Sequence, residues 1–262
     1  MNEFMRQYGW FLTFWGLIAL LSALEYLFPQ NPEHVDRTHR WGTNFGLGVL
    51  NGLIASLTPA LTVCSAQWAT SRGVGILNWV AAPWWLALPG TLLIRSLAQY
   101  AFHRYAHKSS FLWRIHRVHH CDVHLDASSA LRFHPLEMIA NIAFVVPIIM
   151  VCGLSPGILL IYECVEIIVG IMTHTNLRVP NAVEQIASPL LVTPGLHRRH
   201  HSADQARADS NYGNVFSFWD RLFGTYCSEP TEKSRTVEVG LEDVSGEQAG
   251  DFICQLKLPL RN

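Results

Sequence analysis

The sequence is short of charge, and the charges that it has do not gather into a basic face. Asp, Glu, Lys and Arg make up 15% of the 262 residues, against roughly 25% in a typical soluble domain. The formal net charge is −1, which gives no indication of a nucleic-acid partner. Half of the residues are hydrophobic and 11% are aromatic. This composition is typical of an integral membrane protein.

Paired cysteines and common zinc motifs are also missing. The six cysteines show no CxxC spacing, and three of them lie in or next to apolar runs. This predicts buried thiols rather than a disulfide framework. The HExxH motif of zinc hydrolases is absent. The sequence also contains no internal repeat and no low-complexity tract.

Long apolar runs, by contrast, are abundant. A helix needs about 20 apolar residues to cross the hydrocarbon core of a bilayer. Five runs are candidates: residues 8–28, 44–69, 74–100, 138–152 and 158–174. Pro59 is expected to kink or break the second run, and Pro83 and Pro89 the third. The first run lacks a strongly basic start and a cleavage site, which favours a membrane anchor over a cleaved signal peptide.

The last two runs predict a hairpin, since residues 153–157 between them form an uncharged, turn-rich linker. Arms of about 15 to 17 residues are short for crossing a bilayer, so a re-entrant hairpin is an alternative. Lys and Arg are concentrated in residues 95–132 and again after residue 174. The positive-inside rule places both regions in the cytoplasm and the N-terminus outside. Residues after about 230 are polar and acidic, and we expect a loosely ordered tail there.

Eight of the thirteen histidines fall in three motifs at helical spacing. Residues three and four positions apart share a face of a helix, so each motif is predicted to point its imidazoles in one direction. The motifs are HRYAH with His103 and His107 (motif 1), HRVHH with His116, His119 and His120 (motif 2), and HRRHH with His197, His200 and His201 (motif 3). Motif 1 extends the third apolar run. Thr193-Pro194-Gly195 before motif 3 predicts a new helix at about Leu196.

This number of imidazoles predicts two metal ions. Neutral imidazole is a ligand of iron, zinc, copper and nickel, and eight nitrogens exceed the roughly four that one tetrahedral zinc takes. If the motifs converge, the hairpin must wrap the same site, which brings in His134 before it and His174 after it. Two ions with about five ligands each would use all ten.

Three alternatives stay open at this point. The motifs could be basic juxtamembrane patches that attract anionic lipids, although this explains the arginines better than the histidines. A membrane zinc hydrolase conflicts with the number of ligands and the missing HExxH. A metal or proton transporter would place histidines along a pathway inside the bilayer rather than at helix ends. Glu163 and Glu166 lie inside the second hairpin arm, where carboxylates must be paired, neutral or functional.

The three motifs resemble the HxxxH, HxxHH and HxxHH boxes of the fatty acid hydroxylase and sterol desaturase superfamily, whose members are integral-membrane di-iron enzymes. Further stretches resemble signatures of its sterol-desaturase-like and alkylglycerol-monooxygenase-like branch. They are residues 132–137 (RFHPLE), residues 173–176 (THTN), and residues 211–225 with NYG and WDRLFGT. The resemblance covers roughly residues 95–226.

The resemblance implies ten metal ligands and several supporting residues. The implied ligands are His103, His107, His116, His119, His120, His134, His174, His197, His200 and His201. Residues expected to support these ligands or line the pocket are Glu137, Glu163, Glu166, Asn176, Asn211 and Asp220. Candidates for the wall of a water-poor pocket are Phe133, Leu136, Met138 and Met172. The implied cofactors are two iron ions, which zinc can replace in purified protein, with O₂ as co-substrate.

The implied reaction is hydroxylation or desaturation of a C–H bond in a lipid, such as a fatty acyl chain, a sterol or an ether lipid. Electrons would come from a separate reductase, cytochrome or ferredoxin, or from a reduced pterin, because no heme, flavin or iron–sulfur module is recognisable. The expected location is the bacterial inner membrane, or the ER membrane in a eukaryote, with several crossings and the site facing the cytoplasm.

The predicted fold is therefore an all-α integral membrane protein. It has about four to five transmembrane or re-entrant helices and a cytoplasmic helical cap that carries a histidine-rich di-metal site. The predicted segments are three transmembrane helices (1–102), the region of motifs 1 and 2 (103–137), the membrane hairpin (138–174), the region of motif 3 (175–229) and the polar tail (230–262).

Overall fold

The computed structural model describes residues 3–32, 37–227 and 237–261. Helices account for 71% of the structure, and the described residues form no strand, which confirms the all-α prediction. The helices are α1 (Glu3–Leu27), α2 (Arg37–Ser71), α3 (Ile76–Trp79), α4 (Trp84–Lys108), α5 (Ser110–His120), α6 (Pro135–Cys152), α7 (Pro156–His174), α8 (Asn181–Ala187), α9 (Pro194–His200), α10 (Gln205–Ala208), α11 (Phe218–Leu222), α12 (Gly246–Gly250) and α13 (Phe252–Lys257). Two short 3₁₀ helices, Ala127–Leu131 and Leu258–Leu260, complete the set.

Two helices in the described part of the chain, α6 and α7, are long and apolar enough to cross a membrane. A third candidate consists of two helical pieces, Leu61–Trp79 and Trp84–Lys108, that meet at an angle of 93°. The apolar part of α1, Leu12–Leu27, is shorter. Length and composition therefore support two to three spans among the described residues, where the sequence indicated up to five.

Three prolines were predicted to kink or break a helix, and one of them, Pro83, lies at a break between helices. The bend between α3 and α4 falls at the predicted Pro83, which directly precedes α4. Pro89 lies inside α4, and that helix continues past it. The α2 helix likewise continues through Pro59. Neither of these two helices is broken at its internal proline.

The predicted hairpin is formed by α6 and α7. The α6 helix ends at Gly153, whose φ of 68° lies in the left-handed region that favours glycine. The α7 helix begins at Pro156, a position where the missing proline N–H costs no hydrogen bond. The arms contain 18 and 19 residues, which corresponds to about 27 to 29 Å. This is close to the roughly 30 Å thickness of the hydrocarbon core.

Apolar contacts hold the N-terminal helices against the hairpin. The α2 helix packs along both α6 and α7. One buried cluster joins Ala66 of α2 to Val145, Ile149, Leu154 and Leu159. A second cluster joins Ile18 and Leu21 of α1 to Ala127, Leu131 and Ile171. The hairpin is thus braced at both ends.

A buried polar layer fixes α2 to the segment that follows α5. Arg40 of α2 pairs with both Asp122 and Asp126. The fully buried Arg132 donates a hydrogen bond from Nε to the carbonyl oxygen of Val118 at 2.9 Å. Because Val118 lies inside motif 2, this layer holds the motif in position.

The C-terminal residues 237–261 pack on the core, so the prediction of a loosely ordered tail is wrong for them. Apolar side chains of this segment share a cluster with α2 and α5; its buried members are Leu47, Val118, Cys121, Val244, Ala249 and Leu258. The Ala249 carbonyl oxygen also accepts a hydrogen bond from Arg132 at 2.6 Å. A few apolar residues spread over short helices make these contacts, and they give no clear periodicity in the sequence. Residues 228–236, at the start of the predicted tail, lie outside the described residues.

Candidate metal centre

The three histidine motifs lie at or near the C-terminal ends of three helices, and these ends meet in the folded protein. Motif 1 lies in the last turns of α4, motif 2 in the second half of α5, and motif 3 in α9 and the residue after it. Only Ser109 separates α4 from α5, and its side chain caps α5 by accepting the Leu112 N–H. Thr193 caps α9 in the same way, and α9 begins at Pro194, close to the predicted start. His174 is the last residue of α7.

Nine histidines form two buried groups, each of which could hold a metal ion. Within each group the candidate ligand nitrogens all lie within 4.8 Å of one another. The first group consists of His103, His107, His116, His120 and His200. The second group consists of His119, His174, His197 and His201. The structure thus brings together nine of the ten predicted ligands.

Motifs 2 and 3 each contribute to both groups. Histidines four positions apart belong to the same group. His119 belongs to the second group, whereas the other two histidines of motif 2 belong to the first. His200 belongs to the first group, whereas the other two histidines of motif 3 belong to the second. Successive residues on a helix project about 100° apart, so His119 and His120 point to different places. The prediction that each motif points all its imidazoles in one direction is therefore wrong for motifs 2 and 3.

Short contacts between ring nitrogens match the spacing of ligands around an ion. Nε2 of His174 lies 3.1 Å from Nε2 of His119 and 3.0 Å from Nε2 of His197. In the first group, Nε2 of His116 lies 3.1 Å from Nε2 of His120. Two nitrogens at right angles on a metal, each bound at about 2.1 Å, are about 3.0 Å apart.

Backbone carbonyl oxygens fix the tautomer of four imidazoles. The Nδ1–O pairs are His103 with Tyr212 (2.8 Å), His119 with Arg132 (3.1 Å), His174 with Gly170 (2.6 Å) and His200 with Ser210 (2.8 Å). Since a carbonyl oxygen only accepts hydrogen bonds, Nδ1 carries the proton and Nε2 keeps its lone pair. This arrangement orients Nε2 as a metal ligand.

Two carboxylates lie near histidines of the first group, and one of them is hydrogen-bonded to its imidazole. Oε1 of Glu137, in the first turn of α6, lies 2.7 Å from Nδ1 of His116. Oδ1 of Asp209 lies 3.4 Å from Nδ1 of His107. A carboxylate behind an imidazole raises the basicity of its other nitrogen. Glu137 is one of the residues predicted to support the ligands, whereas Asp209 was not predicted because no sequence pattern marks it.

Burial favours the neutral form of the imidazoles in motif 3 and at the end of α5. All nine side chains are buried. Burial, reinforced by neighbouring imidazoles, holds the pKa of each of four histidines well below its usual value: His119, His120, His197 and His201. Burial also lowers the pKa of His200 to about 3. Neutral imidazole is the form that binds metals.

The donor set fits metal ions that accept ligation by nitrogen alone. Both groups consist of imidazoles without a carboxylate, a chemistry that suits iron, zinc, copper and nickel. Nε2 of His107 and Nε2 of His200 are buried and have no hydrogen-bond partner among the described residues. Buried polar atoms are seldom left unpaired without a functional reason. Ligation of an ion accounts for both atoms.

His134, the tenth predicted ligand, lies outside both groups. It precedes α6, where its Nδ1 accepts the Leu136 N–H at 3.2 Å. Its Nε2 lies 3.3 Å from the carbonyl oxygen of Leu256. Because both ring nitrogens have protein partners, His134 caps a helix and contacts the C-terminal segment.

Glu163 and Glu166 are partnered by Arg95 rather than by histidines. Oε2 of Glu166 lies 2.8 Å from an Arg95 Nη, and Oε1 of Glu163 lies 3.9 Å from its Nε. The Thr62 hydroxyl donates to Glu163 at 3.0 Å. The sequence left open a paired role or support of the metal site, and these contacts favour the paired role.

Asp220 supports the first group through the backbone. Its carboxylate accepts hydrogen bonds from the N–H groups of Tyr212 and Gly213 at 2.7 and 2.9 Å. The Tyr212 carbonyl oxygen is the acceptor that orients His103. Asp220 is therefore separated from a ligand by one peptide group.

The two predicted asparagines position motif 3. Asn211, with a φ of 53°, donates to the Leu196 carbonyl oxygen at 3.3 Å. Asn176 accepts a hydrogen bond from Arg198 at 3.3 Å. Leu196 and Arg198 flank His197 in the sequence. Both asparagines thus hold the helix that carries the histidines of motif 3.

Aromatic rings, among them Phe133, Trp113 and Tyr212, lie directly against the histidines. Phe133, a predicted wall residue, stacks on His119 with ring centroids 4.3 Å apart and an angle of 11°. Trp113 lies with its ring centroid 5.0 Å from His107 and 5.5 Å from His120. Trp113 was not singled out from the sequence, because one aromatic residue in a short helix has no distinctive pattern.

Comparison with known proteins agrees with this site. The sequence model of the fatty acid hydroxylase family matches residues 88–225. Ornithine lipid hydroxylase OlsE of Rhizobium tropici is 32% identical over 171 residues, which are 64% of this chain and 48% of that protein. Alkylglycerol monooxygenase of Danio rerio is 30% identical over 148 residues, 56% of this chain and 31% of that protein. Very-long-chain aldehyde decarbonylase GL1-9 of Oryza sativa subsp. indica is 30% identical over 155 residues, 58% of this chain and 57% of that protein.

No solved structure matches the chain. The chain spans about half the length of the first of these relatives and about a third of the second. The family match covers more than half of the 262 residues and includes all nine histidines of the two groups. The chain therefore belongs to the fatty acid hydroxylase family.

Proposed function

We propose that the protein is a membrane-bound di-iron oxygenase that uses O₂ to hydroxylate or desaturate a C–H bond of a lipid. The observation that carries this proposal is the pair of adjacent, buried, all-imidazole groups with five and four ligands. A single catalytic zinc takes about three protein ligands, so nine histidines exceed what a hydrolase needs. The names of the relatives, which act on ornithine lipids and alkylglycerols, support a lipid substrate.

The protein's own residues orient and shield the site. When bound, two iron ions would supply the one-electron and O₂ chemistry needed to attack an unactivated C–H bond. The carbonyl acceptors behind His103, His119 and His174 keep each Nε2 directed into its group. Burial excludes water, which protects a reactive oxidant from side reactions.

The membrane hairpin brings the site to the lipid. His174 ends α7, and Glu137 lies in the first turn of α6, so both arms meet the metal centre at the same end of the hairpin. The stacked Phe133 ring is partly exposed and lies between His119 and the start of α6. An acyl chain entering from the bilayer along this end of the hairpin would meet Phe133 before it met the histidines.

The topology that we propose is a multi-pass protein with the metal centre on the cytoplasmic side of a bacterial inner membrane. The positive-inside rule supports this orientation, because Lys and Arg are concentrated around motifs 1 to 3. A separate electron-transfer protein or a reduced pterin would supply the electrons.

Metal analysis and Mössbauer spectroscopy of iron-57-labelled protein, prepared anaerobically in membranes, test the proposal. We expect about two coupled irons per chain in the wild type, fewer in His119→Ala, and no change in His39→Ala, whose histidine is exposed. The loaded protein should then incorporate oxygen-18 from O₂ into a lipid in the presence of a reductant, or desaturate that lipid. A single tightly held zinc, with no iron in labelled membranes, would overturn the oxygenase proposal.

A further inference from the structure

A patch of large apolar side chains is exposed outside the candidate membrane spans. It lies on α8, on the loop after α8, and on α11. We call it the α8–α11 surface; its residues are Val183, Ile186, Leu190, Leu191, Leu222 and Phe223. Ile186 is 81% exposed and Leu190 64% exposed. Large apolar side chains exposed on neighbouring segments indicate an interaction surface.

The two parts of the surface form one unit. Leu191 and Phe216 pair as an antiparallel bridge. The Ser217 N–H donates to the Leu190 carbonyl oxygen at 3.0 Å, and the Ser217 hydroxyl donates to the Ser188 carbonyl oxygen at 2.7 Å. The loop after α8 and the residues that lead into α11 are thus fixed to each other.

This unit packs against the side of α4, not against the end of that helix. The Trp219 indole N–H of α11 donates to the Ser96 hydroxyl at 3.0 Å. Phe223 stacks on Tyr100 with ring centroids 5.4 Å apart. Ser96 and Tyr100 lie within the helical piece Trp84–Lys108 of the bent candidate span. The exposed leucines of the loop and of α11 therefore continue the apolar face of α4, on which Leu93 is also exposed.

The exposed charges within the two segments that form this surface have one sign. Arg178 and Arg221 are exposed, whereas the carboxylates of Glu184 and Asp220 are buried. Residues 177–191 and 214–226, all of which are described, contain no other acidic residue. Arginine at the rim of an apolar surface suits anionic lipid headgroups, because its long side chain can reach the interface.

We propose that the α8–α11 surface is immersed in the lipid leaflet that borders the metal centre, with Arg178 and Arg221 at anionic headgroups. The inference is independent of which metal the centre holds. The segment runs directly into α9, which carries motif 3, so its immersion would hold His197, His200 and His201 at the lipid boundary. An apolar surface with cationic residues is the composition of segments that lie in the membrane interface.

Photo-crosslinking of the full-length protein in vesicles tests the proposal. The photoreactive residue p-benzoylphenylalanine is placed singly at Ile186, at Leu190, at Ile161 as a lipid-facing control on α7, and at Gln205 as an exposed polar control on α10. We expect lipid adducts, read by mass spectrometry, at Ile186 and Leu190 as at Ile161, and none at Gln205. Metal content equal to that of the wild type shows that each variant is folded.

Two results would overturn the proposal. Absence of lipid adducts at Ile186 and Leu190, with adducts at Ile161, would place the surface in water. Crosslinks to polypeptide alone would show that a second copy or another protein covers it. For the headgroup contact, the double substitution Arg178→Gln/Arg221→Gln should reduce the adduct yield in phosphatidylcholine vesicles that contain phosphatidylglycerol, but not in phosphatidylcholine alone. If the double variant and the protein with both arginines gave equal adduct yields in the vesicles that contain phosphatidylglycerol, the role of the two arginines would be contradicted.

Discussion

Glu137 and His116 are joined by a contact of 2.7 Å between Oε1 and Nδ1, buried beneath the first histidine group. The contact links the first turn of the α6–α7 hairpin to motif 2. It leaves Nε2 of His116 facing Nε2 of His120 at 3.1 Å. One carboxylate therefore couples the position of the hairpin to the orientation of a ligand.

Glu137→Gln should weaken the first metal site by about 10-fold or more, because loss of a carboxylate behind an imidazole ligand typically lowers affinity by about 10- to 100-fold. Metal titration against a competing chelator measures this change. Glu242→Gln, which alters an exposed carboxylate, should leave the affinity unchanged. Equal affinities for the wild type and Glu137→Gln would contradict the supporting role of Glu137.

The substitutions His174→Ala and His134→Ala should have different effects, because His174 is a candidate metal ligand and His134 caps a helix. His174→Ala removes one of four nitrogens from the second group, so about one of the two ions should be lost. His134→Ala should retain both ions and cost about 1 kcal/mol of stability, since it removes a side-chain cap. Iron content per chain and thermal unfolding in detergent give the two readouts. Loss of iron in His134→Ala would make that residue a ligand after all.

Substitutions in the Arg95 network should change stability but leave the metal content unchanged. Arg95→Met leaves the buried Glu163 and the partly buried Glu166 without their cation and should cost about 3 to 5 kcal/mol. Glu166→Gln keeps Glu163 beside Arg95 and should cost less, about 1 to 3 kcal/mol. Unfolding in mixed micelles gives the stability, and metal analysis gives the occupancy. A folded Glu166→Gln protein that lacks iron would show that this carboxylate supports the centre.

Leu258→Ala should destabilise the protein, although Leu258 lies in a C-terminal segment that is largely polar and acidic. Leu258 is 2% exposed and packs in the cluster with Leu47 and Val118, so its truncation should cost about 2 to 5 kcal/mol. Leu260 is 80% exposed, and Leu260→Ala should change stability by less than about 0.5 kcal/mol. Thermal unfolding of the matched pair is the measurement. Equal melting temperatures would contradict the packing of the C-terminal segment.

Local helix geometry explains why much of the site could be predicted. The spacing of four residues between His103 and His107 requires a shared helix face whatever the rest of the chain does. Proline at the first position of a helix and glycine just after its end likewise act locally, as Pro135 and Gly153 do in α6. The low content of charged residues and the long apolar runs indicated a membrane protein before any contact was known.

The sequence by itself thus determined the helical class, the hairpin and the imidazole chemistry. Only the tertiary structure decided that the imidazoles divide into five and four, that His134 turns to the Leu256 carbonyl oxygen, and that the C-terminal segment is packed. These outcomes depend on contacts between residues far apart in the sequence, such as His119 with His174 and Arg132 with Ala249. A periodicity reports which residues share a face of one helix, but it contains no information about which other helix meets that face.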